Sequence, residues 1–129
     1  MPKEKPLTLH RLKPMTITDK DLRTEVDRLV SDVVLILGDD LLKVIQFGSS
    51  LGGVSAMHQD SDIDLCLVLK SGTSHRAFYG KLPISKSIAV DWILVNEDEF
   101  IEKSVKRHGV FHLVNCDGKV VWEKSNGKI

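Results

Sequence analysis

Asp62 and Asp64 stand two positions apart where a loop gives way to the apolar run Leu65-Cys66-Leu67-Val68-Leu69. In an extended strand, residues i and i+2 project to the same face, so these carboxylates point together about 6 to 7 Å apart while Ile63 and Leu65 enter the packing behind. Like charges held in that way repel, and each loses hydration. A divalent cation relieves both costs. Magnesium suits the pattern, because it takes hard oxygen ligands, usually one or two carboxylates, and fills its shell with water and substrate phosphates. A third aspartate, Asp91, is the single charge in the apolar window Ala89-Val90-Asp91-Trp92-Ile93-Leu94-Val95. If the two strands are neighbours, Asp91 completes a trio for one or two metal ions; otherwise it is a strand-end residue that reaches solvent or an arginine.

A second feature precedes the aspartates. Gly48, Ser49, Ser50, Gly52 and Gly53 follow directly on the run Leu42-Lys43-Val44-Ile45-Gln46-Phe47. Glycines let backbone amides approach a phosphate closely and serine hydroxyls add donors, so the loop can bind a polyphosphate; the plainer reading is a turn. No Gly-Lys-Ser/Thr follows, which excludes a P-loop.

These residues need strands to hold them and helices to cover the strands. Thr18 caps a helix with Asp19 and Asp21 in its first turn, and Leu22, Val26, Leu29, Val30, Val33 and Leu37 recur at helical spacing before Gly38. Leu42 to Phe47, Asp62 to Leu69, Ser87 to Val95 and Lys119 to Glu123 read as strands. Lys70 to Lys86 reads as a long polar connection broken by Gly72, Gly80 and Pro83. Asn96 caps a helix over Glu97 to Lys106 with Phe100, Ile101 and Val105 on one side, a shorter helix runs from Val110 to Asn115, and Asp117-Gly118 makes a turn. The expected architecture is α/β (α+β): a mixed twisted sheet of about four strands with helices mainly on one face, leaving the carboxylates at an open cleft. Residues 1–16, with Pro2, Pro6 and Pro14, read as an irregular arm, and 17–129 as one domain, the last few residues frayed.

Composition narrows the function. The 129 residues include 18 Lys plus Arg and 18 Asp plus Glu, so no net positive charge holds a nucleic-acid backbone. No apolar run approaches the roughly 20 residues of a membrane span and no signal-peptide core is present, which points to the cytoplasm. Cys66 and Cys116 have no metal-binding spacing and are expected as free thiols, Cys66 in the core.

Together, Gly48-Ser49, a variable loop, Ser61-Asp62-Ile63-Asp64-Leu65 and a later Asp91 in an apolar strand resemble the nucleotidyltransferase superfamily that includes the palm of DNA polymerase beta. The short chain is most similar to its minimal nucleotidyltransferases, over roughly Leu41 to Lys124. The resemblance implies that Gly48 and Ser49, with Ser50 and Ser61 beside them, bind the phosphates of a nucleoside triphosphate. It implies that Asp62, Asp64 and Asp91 are the catalytic residues and hold two Mg2+ ions. The implied reaction is transfer of AMP from ATP to a hydroxyl, with Asp91 beside that hydroxyl. Many minimal members resemble antitoxin partners of helical HEPN-domain toxins, which implies a protein acceptor; the alternative is a degenerate member that grips such a partner without catalysis.

Two departures from the family stand out. The loop from Ser50 to Ser61 is longer than usual, and Ser50 and Leu51 occupy places where many members have an arginine. Charge for the triphosphate must then come from His58, Lys70, His75, Arg76 or Lys81. Remaining residues have plainer readings: Trp92, Trp122 and Tyr79 as packing, Lys103, Lys106 and Arg107 as a solvated helix face, and His108 and His112 as surface or hinge residues despite their four-residue spacing.

Overall fold

The computed structural model describes residues 17–57, 61–85, 87–105 and 109–124. The arm 1–16, His58, Lys106, Arg107, His108, the side chain of Cys116 and residues 125–129 lie outside the described residues.

Helix α1 (Asp19–Leu37) starts where its cap predicts. The Asp21 amide donates to Thr18 Oγ1 at 3.0 Å, and the Thr18 amide donates back to Asp21 Oδ2 at 3.4 Å. Its buried residues are the six of the apolar stripe, Leu22, Val26, Leu29, Val30, Val33 and Leu37. Gly38, at φ +56°, turns the chain into strand β1 (Leu41–Phe47).

Strands β2 (Ile63–Leu69), β3 (Val90–Asn96) and β4 (Lys119–Glu123) complete a four-stranded sheet in the order β3-β2-β1-β4. β1 runs antiparallel to β2 and β4, whereas β2 and β3 are parallel. A parallel pair needs a crossover. Here the polar connection after β2 supplies it, and it carries a one-turn helix, α2 (Arg76–Tyr79). Phe78 and Leu82 seat it on the α1 side of the core, Arg28 Nη2 donates to the Ile84 carbonyl at 3.0 Å, and Trp92 Nε1 donates to that of Pro83 at 3.1 Å. β3 begins at Val90, not Ser87, because Ser85 Oγ accepts the amides of Ser87 and Ile88 and bends the chain there.

Helices α3 (Glu97–Ser104) and α4 (Val110–Asp117) follow β3. The expectation of helices mainly on one face needs correction. α1 covers Leu41, Val44, Ile63, Leu65, Leu67 and Leu69, while Phe100 of α3 and Val114 of α4 cover Ile45, Phe47, Cys66, Val68 and Val95 on the opposite face. The reason is legible in β2, whose unbroken apolar run is buried on both sides as a central strand requires. α3 also turns differently from its expected face. Phe100 and Ser104 are buried, whereas Ile101 and Val105 are 59% and 74% exposed. Asn96 does not cap α3 with its side chain; Nδ2 donates to the Thr73 carbonyl at 3.2 Å and Oδ1 meets His75 Nε2. Among the described residues, no helix is long and apolar enough to cross a membrane.

Candidate functional site

Strand register builds the site. In the parallel pair, Asp64 lies opposite Asp91, and across the antiparallel pair it lies opposite Phe47. Asp64 shares a face with Cys66 and Val68, as Asp91 does with Ile93 and Val95, so both carboxylates leave the α3 and α4 side of the sheet at its N-terminal end for β2 and β3. Asp62 precedes β2 by one residue. Asp91 is exposed, and Asp62 and Asp64 are half-buried.

The electrostatics follow from that crowding. Burial, then the charge of Asp91, then that of Asp62, pushes the Asp64 carboxyl up to about 6. Among the described residues, no lysine, arginine or histidine forms an ion pair with any of the three.

The glycine-serine loop meets the acids directly. Gly48 sits at φ +79°, and a Cβ there would run into Asp64 Oδ2 and lie 3.1 Å from Asp64 Cγ. The close approach and the left-handed backbone both demand glycine. Ser49 is exposed at the opening of a short turn, Ser49–Gly52, and Ser61 is half-buried ahead of Asp62. Ser50 has a different task from the expected phosphate contact. It is 3% exposed, and Gln46 Nε2 donates to its hydroxyl at 2.9 Å on the α1 side of the sheet. Gln46 was not a candidate from sequence, although an uncharged polar residue inside an apolar strand is a signal that something buried needs it.

Among the described residues, the expected phosphate cations do not gather here. Lys70 follows the far end of β2, roughly 20 Å from Asp64 at strand rise. His75 is tied to Asn96 at the far end of β3, and Arg76 follows it on α2. Lys81 is exposed in the crossover. His112 uses Nδ1 to bond the Ser104 carbonyl at 3.1 Å, and Lys103 pairs with Glu99 at 3.7 Å and lies 5.6 Å over the Phe111 ring. Trp92 and Trp122 pack against the core as expected, while Tyr79 is 52% exposed. Cys66 is a free, buried thiol pushed up to about 12 by burial.

The donor set fits a hard divalent cation better than a soft one, since it is all carboxylate with no thiol or imidazole. Among the described residues, no three or more His, Cys, Asp and Glu close into a ready-made metal cage. Magnesium seldom uses one, because substrate phosphates and water complete its shell. In comparisons with known proteins, no family model matches the chain. No curated protein matches it in sequence.

Proposed function

We propose that the chain is a metal-dependent nucleotidyltransferase that moves a nucleoside monophosphate, AMP from ATP, to an acceptor hydroxyl. One observation carries this reading: the Gly48 backbone closes on the Asp64 carboxylate, and Asp64 stands in register with Asp91. This meeting of separate segments supports a site in which phosphate donors would stand beside hard oxygen ligands, as phosphoryl transfer requires.

Asp62 and Asp64 would hold Mg2+, with Asp91 contributing to a second ion. When bound, the metal neutralises charge on the phosphates and on the departing pyrophosphate. The Gly48 amide and the exposed Ser49 hydroxyl orient the β- and γ-phosphates. Asp91, the outermost acid, faces the direction from which an acceptor enters. The acceptor oxygen forms its bond to the α-phosphorus as the bond to the bridging oxygen breaks, and the hydroxyl proton passes to Asp91. Because the acids sit at one end of strands β2 and β3 with Asp91 exposed, a protein hydroxyl on a helical partner is a fitting acceptor.

A second reading, a non-catalytic module that grips a helical partner, is favoured by one observation. Lys70, His75, Arg76 and Lys81 stand away from the acids, so a triphosphate finds few positive partners among them. Calorimetry with Mg2+ and ATP tests the first reading: wild type binds and the Asp62→Ala, Asp64→Ala double variant does not. Equal binding, or none in either, overturns it. Transfer of label from α-labelled ATP to a co-purified protein separates enzyme from module, since the module transfers none.

A further inference from the structure

Resting on that reading of the site, we propose that Asp19, the first residue of α1, is a positioning residue that fixes the glycine-serine loop from behind. Asp19 Oδ1 accepts the Val54 amide at 2.7 Å, and a Cβ on Gly53 would lie 2.8 Å from the same oxygen. Gly53 has φ +78°, nearly the backbone of Gly48 at the other end of the turn. The Ser49–Gly52 turn is therefore clipped at three points: Gly48 against Asp64, Ser50 against Gln46, and Gly53-Val54 against Asp19.

Each clip holds a different part. Gly48 and Ser50 set the depth of the turn against the sheet. Asp19 sets its tilt, because it grips the chain where the turn leaves, a few residues from Ser49. Loss of the carboxylate frees the Val54 amide and lets the turn rotate about its inner anchors, which carries the Ser49 hydroxyl away from the acids. The anchor is charge-assisted, and the positive end of α1 steadies the carboxylate.

Asp19 differs from a core residue in one useful way. It is exposed and opens on a groove of about 520 Å³ that also meets Arg23, Asp27, Gln46, Ser50 and Lys119. Its removal deletes no apolar packing, so the variant is expected to fold. Asp21, two residues on, is the matched control: it completes the capping box with Thr18, and among the described residues its hydrogen bonds go to Thr18 and not to the loop.

The test measures melting temperature and, well below it, the dissociation constant for ATP with Mg2+. Asp19→Ala is expected to weaken binding roughly tenfold, as loss of one charge-assisted hydrogen bond would. Asp19→Glu keeps the charge at the helix start but misplaces the oxygen, and is expected to weaken binding similarly. Asp19→Asn, whose amide oxygen can still accept from Val54, should stay within about twofold of wild type. Asp21→Ala should lower the melting temperature and leave binding unchanged. If wild type binds and Asp19→Ala and Asp19→Glu bind equally well, the positioning role is overturned while the proposed function stands. If wild type does not bind, both fall.

Discussion

Asp64 is the residue on which the site turns, and its chemistry makes a measurable demand on the fold. A carboxyl raised from 3.8 to about 6 holds its proton more tightly folded than unfolded. The stability it contributes is therefore fully present below pH 3.8 and is lost as pH rises through about 6. Asp64→Asn should stabilise the metal-free protein by about 1 to 2 kcal/mol at pH 8, after allowance for solvent screening of a half-exposed group. Denaturant titrations of the two proteins should converge near pH 3.5; a constant difference across pH would show that the charge is not the cause. Gly48 makes the opposite demand. Gly48→Ala must place a Cβ into the Asp64 carboxylate on a left-handed backbone, at a cost of about 1 to 3 kcal/mol and with loss of nucleotide binding. The types and order of both residues were visible in the sequence. Their contact was not, because it depends on how β1 and β2 register across the loop that joins them.

Helix α1 and strand β2 show which elements local pattern specifies. The α1 stripe has a single helical reading, and all six expected residues are buried. Leu29, at 0% exposure, lies between α1 and the sheet, so Leu29→Ala should cost about 2 to 5 kcal/mol. Ile101→Ala, at a 59% exposed site, should change stability by less than about 0.5 kcal/mol. Both follow from urea midpoints, and a large loss at Ile101 would mean that something covers the α3 surface. α3 was harder to read, because Phe100, Ile101 and Val105 are all apolar and periodicity does not choose between them. Tertiary contact chooses: Phe111 of α4 packs edge-on to Phe100 with ring centroids 6.2 Å apart, and His112 binds the Ser104 carbonyl, which turns Phe100 and Ser104 inward. The same override takes Asn96 from its expected cap to the Thr73 and His75 segment. β2 offered a clue about coverage, since a strand apolar at every position from Leu65 to Leu69 needs a layer on each side.

At the scale of the molecule, folding and the proposed ligand are linked. Strand register brings three acids to one end of β2 and β3, although the chain as a whole carries no net charge. Their repulsion is a cost borne by the folded state, since an unfolded chain lets them separate into water. Anything that neutralises the acids only when folded must therefore stabilise the fold. At one hundred times its dissociation constant, Mg2+ with ATP should add about 2.7 kcal/mol and raise the melting temperature by several degrees. The sign of its pH dependence follows from Asp64. Its carboxyl must lose a proton to bind a cation, so the rise should be full at pH 8 and shrink at pH 5, below the value of about 6. The Asp62→Asn, Asp64→Asn double variant should melt higher than wild type without Mg2+ at pH 8 and gain nothing from its addition. Thermal scans at the two pH values, with and without the metal nucleotide, measure both effects. An equal rise in wild type and double variant would place the cation elsewhere on the surface and remove the acids from the proposed chemistry.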